Sequence, residues 1–194
     1  MNLKSLIILD NLFSDEYMKK IEESCTESSW GYSNNITYGE NCDDIQNGFS
    51  FTFENNSPQY FLFQYLIFKS CEKINFKVEK SIRIRKRLTY PNKEKYNIPY
   101  QPHIDFEDSH LVLLYYVNNS DGDTFIYKEK FSKKNKLKLD NIDIKKFSLF
   151  EKVGFKRGRV AIFDGKYYHA SSLSTSNPRI ILNINLYGKF IRIC

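Results

Sequence analysis

The sequence predicts an α+β fold that is mainly β, a β-sandwich or barrel with helices packed outside it. Three observations carry the prediction. Apolar residues recur at helical spacing before residue 80 and at period two from residue 81 onward. The later apolar runs are short and punctuated by turn pairs, Asp121-Gly122 and Asp164-Gly165 among them. Hydrophobic residues make up 41% of the chain and aromatics 16%, with only eight glycines and five prolines. That composition supports a packed core and excludes a disordered or fibrous chain.

In chain order, Leu6-Ile7-Ile8-Leu9 reads as a short strand. Ser14 or Asp15 caps a first helix, with Asp15 and Glu16 favourable in its first turn and Tyr17 or Met18, Ile21 and Cys25 as its apolar stripe. The polar stretch 26–48 reads as a loop. A second helix starts at Ser57-Pro58, where proline's missing N–H costs nothing. Its apolar residues, Tyr60 to Phe63 and Tyr65 to Phe68, run nearly all round, so it should be covered on most sides by a sheet. From residue 81, Ile82, Ile84, Leu88 and Tyr90 share one strand face and Arg83, Arg85 and Arg87 the other, which reads as an exposed, salt-bridged face. Further strands fall at 110–118, 123–127, 159–163 and 179–193, with tight hairpin turns expected at Asp121-Gly122 and Asp164-Gly165. No repeat or linker interrupts the chain. Its 194 residues fit one domain, with 1–79 as support and 80–194 as the β core.

The net charge of +6 is mostly local: residues 128–152 hold nine lysines against four acids. Such a run reads as a solvated loop or hairpin, with attraction for nucleic acid as the rarer alternative. Cys25, Cys42, Cys71 and Cys194 form no CxxC pair and read as free thiols of a reducing compartment. The N-terminal apolar run is too short for a signal peptide, and no stretch approaches the roughly 18 apolar residues of a membrane span, so a cytoplasmic location is expected. Nucleotide-binding and serine-hydrolase motifs are missing from the sequence.

The chemistry-bearing residues are few. The chain has three histidines, and His103-Ile104-Asp105 is a weak motif alone, since a histidine bonded to a neighbouring acid in a turn explains it equally. His169, past a later strand and turn, completes two histidines and a carboxylate, the set that occupies one face of an octahedral iron and leaves the other open. Alternate residues of a strand point the same way, so His103 and Asp105 can reach one ion. Arg179 opens the last strand and shares a face with Ile181, Asn183 and Asn185. It offers a planar fork for a carboxylate, although a rim arginine paired to an acid is the commoner role. His110 opens an apolar strand without a partner at ligand spacing and reads as a packed histidine. Trp30 and its neighbouring tyrosines read as core aromatics, with a substrate cleft as the alternative.

Tyr90-Pro91, Tyr100-x-Pro-His103-x-Asp105, Tyr115-Tyr116-Val117-Asn118, Asp164-Gly165, His169 and Arg179 together resemble the prolyl 4-hydroxylase-like branch of the Fe(II)/2-oxoglutarate-dependent dioxygenases, in particular its small phage-type members. The likeness spans roughly residues 80 to 187. It implies a double-stranded β-helix (jelly-roll) with N-terminal helices on the major sheet. It further implies Fe(II) on His103, Asp105 and His169, and Arg179 on the distal carboxylate of 2-oxoglutarate. Tyr116 would help bind that carboxylate, Tyr90 would lie near the co-substrate's other end, and Asn183 would add a further contact. O2 is the oxidant, ascorbate a possible reductant, and a peptidyl proline or other protein or amino-acid substrate the expected target of C–H hydroxylation, in a host cytoplasm if viral. The segment 91–102 lacks the glycines usual in the family, and with the Lys-rich connection it borders the expected site mouth. The alternatives are the same chemistry on nucleic acid, a cupin-like metal-binding jelly-roll without oxygenase activity, and an interaction domain with structural histidines.

Overall fold

The computed structural model describes residues 6–33, 47–133 and 144–191. Cys42, Cys194 and the lysines at 134, 136 and 138 lie outside the described residues. The first strand, β1 (Ile7–Leu9), leads into α1 (Asp15–Glu27), where the Ser14 side chain accepts from the Tyr17 amide and Ile21 and Cys25 are buried. Helix α2 (Pro58–Lys73) is capped the same way by Ser57. These caps and the Pro58 start fall where the sequence places them.

Among the described residues, ten strands form two sheets. β2 (Gly31–Ser33), β3 (Gly48–Phe53), β4 (Phe76–Thr89), β5 (Leu111–Tyr116), β8 (Val160–Asp164) and β10 (Arg179–Phe190) join β1 in a seven-stranded sheet of order β1-β8-β5-β10-β4-β3-β2. β6 (Thr124–Lys130), β7 (Leu149–Val153) and β9 (Tyr167–Ser171) form a three-stranded sheet of order β7-β6-β9. All pairings between these strands are antiparallel. The two sheets face each other across Val112, Leu114, Tyr116, Ile126, Val153, Ala161, Phe163 and Ile181. Both helices cover the outer face of the large sheet, where Ile21, Cys25, Phe63, Leu66 and Cys71 meet Leu113, Tyr115, Ile162, Leu182 and Ile184. This is a jelly-roll with helices on its major sheet.

Several expectations need correction. Asp121-Gly122 and Asp164-Gly165 do turn the chain, yet they close no hairpins: each carries it from the large sheet to the small one, β5 to β6 and β8 to β9. Turn chemistry reports a reversal, not which strand the chain pairs with next. The stretch 26–48 is not all loop, because β2 and the start of β3 lie in it and pair at the open edge beyond β4. Helix α2 is covered on one side only, and Phe61 and Phe68 remain 66% and 60% exposed. Cys25 and Cys71 are free, as expected, and both are buried. Of the Lys-rich run, the described ends form the antiparallel β6–β7 pair.

Trp30 stacks on a lysine. Lys86 projects from the outer face of β4, wholly buried, with Nζ 3.7 Å from the Trp30 ring centroid. It donates to the carbonyls of Cys25 and Ser28 and to Ser28 Oγ, so a cation closes the C-terminal end of α1, where carbonyls lack helical partners. Burial pushes its ammonium down to about 8.

Candidate metal centre

The inner face of the large sheet is polar along two neighbouring strands. On β10 the inward row is Arg179, Ile181, Asn183 and Asn185, while Ile180, Leu182 and Ile184 pack outward against the helices. On β4 the matching row is Thr89, Arg87, Arg85 and Arg83, each opposite its β10 counterpart. The expected alternation on β10 therefore holds.

His103 and Asp105 reach this face without a strand of their own. The segment is irregular except for one antiparallel bridge, in which His103 and His169 exchange backbone hydrogen bonds of 3.0 and 2.9 Å. That bridge replaces the strand alternation expected to aim the ligands, and it sets the two imidazoles side by side, ring centroids 4.6 Å apart. One ligand atom from each of His103, Asp105 and His169 lies within 4.8 Å of the others, and all three residues are buried.

The donor set fits a metal ion. Nδ1 of His103 faces the Gln101 carbonyl at 3.4 Å and Nδ1 of His169 the Tyr167 carbonyl at 3.2 Å, contacts that place the ring proton on Nδ1. Both Nε2 atoms are left buried with no hydrogen-bond partner, the arrangement a bound ion would relieve. Burial holds the rings neutral: His103 is pushed down to about 3, helped by His169 and Arg87 and opposed by Asp105. His169 is lowered as well, again by burial first and against Asp105.

Asp105 is fixed from β4 and β10. Arg83 Nη2 donates to Oδ1 at 2.6 Å, Asn183 Nδ2 to both oxygens at 3.2 and 3.0 Å, and Asn185 Nδ2 to Oδ2 at 2.9 Å. Asn185 in turn accepts from Arg83 Nε at 3.1 Å. Three donor groups thus hold both oxygens of the carboxylate in one orientation. Burial would raise this acid, but the Arg83 and Arg87 guanidinium groups outweigh it and hold the carboxyl well below the usual range. The exposed reading of the arginine stripe is thus corrected for Arg83 and Arg87, which are buried, while Arg85 stays partly open and bonds Thr52. A charged strand face is solvated only where nothing covers it, and here β4 lies inside the sheet beneath the 100–105 segment.

A narrow cleft joins His103 and His169 to Arg179, lined also by Arg87, Thr89, Leu114, Thr124 and Asn183. Arg179 is 2% exposed, with Nε on the Gly122 carbonyl at 2.8 Å and Nη2 on Thr124 Oγ1 at 2.9 Å. Tyr116 donates to the same Thr124 oxygen at 2.9 Å, so Thr124 ties the two predicted residues together. Gly122 is required there: a Cβ would sit 2.8 Å from Arg179 Cδ and 3.0 Å from the Ser172 carbonyl oxygen. Of the remaining sequence candidates, Asn183 serves Asp105, and Tyr90 is not brought in. Tyr90 is 58% exposed and packs edge-on against Phe49, because Thr89 takes the inward position. His110 is buried, its Nδ1 at 2.8 Å from the Asp108 carbonyl and its ring packed so closely on Gly165 that a Cβ there would collide. Arg83, Asn185, Thr124 and Arg87 have no role assigned from the sequence; the period-two arginine stripe and the face that Asn185 shares with Arg179 are the signals that point to three of them.

No protein-family model and no curated protein matches the sequence. Solved structures do. A prolyl hydroxylase from Trichoplax adhaerens, in complex with a hypoxia-inducible factor oxygen degradation domain peptide fragment, is 11% identical at a TM-score of 0.62, covering 95% of this chain and 84% of its own. The non-heme alpha-ketoglutarate-dependent carbocyclase SnoK from nogalamycin biosynthesis is 11% identical at 0.69, covering 93% and 79%. A Pseudomonas putida prolyl-4-hydroxylase is 11% identical at 0.58, covering 95% and 92%. The chain therefore has the jelly-roll fold of the Fe(II)/2-oxoglutarate oxygenases, prolyl hydroxylases among them.

Proposed function

We propose that the protein is an Fe(II)- and 2-oxoglutarate-dependent oxygenase that hydroxylates a C–H bond of a peptide or amino-acid substrate, with peptidyl proline as the reference case. The observation that carries this reading is the cleft itself: two unpartnered buried Nε2 atoms at one end with the Asp105 carboxylate grouped beside them, a buried arginine at the other. His103, Asp105 and His169 would hold Fe(II), which with 2-oxoglutarate and O2 supplies C–H hydroxylation and releases succinate and carbon dioxide.

The chain's own residues do the positioning. The backbone carbonyls of Gln101 and Tyr167 hold the imidazole protons on Nδ1, leaving Nε2 free to ligate. Arg83, Asn183 and Asn185 keep Asp105 ionised and aimed. Arg179 and Tyr116, both bonded to Thr124, present the anchor for the distal carboxylate, and burial under Phe155 excludes water from it. A peptide substrate is supported by the Trichoplax hydroxylase, whose structure contains one.

The test is direct. Purified protein with Fe(II) and ascorbate should convert 2-oxoglutarate to succinate, slowly without substrate, and His103→Ala should abolish it. Metal uptake without 2-oxoglutarate binding or turnover would instead identify a metal-binding jelly-roll of another kind.

A further inference from the structure

The inner row of β4 contains a charge that the proposed chemistry leaves unmatched. Arg87 is 7% exposed, lines the cleft beside His103, His169 and Arg179, and its buried Nε has no hydrogen-bond partner. Burying a guanidinium is costly unless an anion and hydrogen bonds compensate it. Three buried guanidinium groups stand on this face, and each of the other two has its match. Arg83 is paired at 2.6 Å with Asp105. Arg179 already bonds Gly122 and Thr124, and in the proposed function it also receives the distal carboxylate of the co-substrate. With one 2-oxoglutarate carboxylate on Arg179, the other only half-neutralises iron(II), and the Asp105 carboxylate near Arg87 is hydrogen-bonded to Arg83. Arg87 is therefore left without an anion of its own.

Its position says what would compensate it. The Cα of Arg87 lies opposite Ile181, midway along the row between the Arg179 end and the Asn183 position that holds Asp105. The next residue of the same row, Arg85, is half-buried and faces Thr52 on β3, toward the open edge of the sheet. Arg85 thus opens toward the sheet edge, and the buried Arg87 beside it offers a fork matched to a carboxylate.

Resting on the oxygenase reading, we propose that the primary substrate carries a carboxylate, held by Arg87 beside the metal-binding triad. Arg87 is then the residue that determines specificity: it selects a carboxylate-bearing amino acid or an acidic side chain near the reacting C–H bond. The 2-oxoglutarate carboxylates are already matched, by Arg179 and by the metal.

The test uses full-length protein loaded with Mn(II) and N-oxalylglycine, an inert 2-oxoglutarate analogue, and titrated with acetate as the carboxylate probe and acetamide as its neutral control. Relaxation of the acetate methyl protons by Mn(II) reports binding near the triad. Wild-type protein should show saturable acetate relaxation and none for acetamide. Arg87→Gln should weaken acetate roughly 10- to 100-fold, the loss expected for hydrogen bonds to a charged group, while N-oxalylglycine affinity stays within about twofold of wild type. Arg87→Lys should keep part of the acetate binding, which guards against a folding defect. Equal acetate binding by wild type and Arg87→Gln overturns the proposal. So does a loss of N-oxalylglycine affinity in Arg87→Gln, because Arg87 then serves the co-substrate. If wild-type protein takes up neither Mn(II) nor N-oxalylglycine, the oxygenase reading fails separately. Saturation-transfer measurements of acetate on metal-free wild type and Arg87→Gln then still decide whether Arg87 binds a carboxylate.

Discussion

Replacing Asn185 with leucine removes one amide and keeps the volume, and the structure fixes what that amide does. Its Nδ2 donates to Asp105 Oδ2 at 2.9 Å and its Oδ1 accepts from Arg83 Nε at 3.1 Å, in a site where Asn185 is wholly buried. The first bond goes to a charged acceptor and contributes about 1.5–3 kcal/mol, and orphaning the arginine N–H costs about 1–3 kcal/mol more. Metal-free Asn185→Leu should therefore lose roughly 2.5–6 kcal/mol, or about 5–24 °C in Tm for a chain of this length. The aim of Asp105 should suffer too, and loss of such an orienting partner lowers metal affinity about 10- to 100-fold.

Instability alone could mimic the second effect, so the comparison must be matched. Ile184, one residue along β10, is equally buried but faces the helices. Ile184→Ala should cost about 2–5 kcal/mol through lost burial and the cavity left behind. Its metal affinity should remain that of wild type. Thermal unfolding of the metal-free proteins and calorimetric titration with Mn(II) read the two quantities separately. If Asn185→Leu binds Mn(II) as tightly as wild type, or Ile184→Ala loses affinity equally, the assignment of the two faces of β10 is wrong.

Two further outcomes follow from the same geometry. Thr124→Val removes the oxygen shared by Arg179 and Tyr116 and leaves two buried donors unpaired, at about 1–3 kcal/mol each. Urea unfolding should show that loss, and added 2-oxoglutarate should restore part of it by accepting from the freed donors; an unchanged midpoint refutes the role of Thr124. Acid should destabilise the metal-free protein by way of His103. Its folded value, pushed down to about 3 by burial, lies below the 6.5 of an unfolded histidine, so the unfolded chain binds the extra proton between those limits. Stability should fall as pH drops below about 6.5, by about 2 kcal/mol at pH 5 from this group alone. His103→Gln should lose that component of the slope, and identical slopes would show that His103 is not buried neutral.

Local features of this fold were legible in the sequence because each rests on neighbouring residues. Ser14 and Ser57 cap helices through bonds to amides three residues on, and the two faces of β10 follow from strict alternation. His103, Asp105, His169, Tyr116 and Arg179 were legible as a set of types and spacings. What was not legible depends on which strands become neighbours. Arg83 reads as solvent-facing until Asp105, 22 residues away, is folded over it as a counter-charge. Thr124 is one threonine in a short strand, and nothing local shows that Arg179 and Tyr116 will converge on its hydroxyl. Tyr90 fails for the opposite reason. A motif position says that a tyrosine is present, whereas β4 pairing puts Thr89 inward and turns Tyr90 to the outside.

The two faces of β10 also explain how a small chain keeps so polar a site. Ile180, Leu182, Ile184 and Leu186 bury their side chains against the helices, and at about 1.5–3 kcal/mol for each large apolar side chain that row offsets the desolvation of the opposite one. The inward row can then hold Asp105 among three donors and keep two histidines neutral in a buried site. Arg87 tests this division most sharply. If it waits for a carboxylate, then Arg87→Met, which replaces an uncompensated buried cation with an apolar side chain, should raise the stability of the free protein while destroying acetate binding. The opposite signs follow from one cause: a charge kept in place for a ligand is a cost until that ligand arrives.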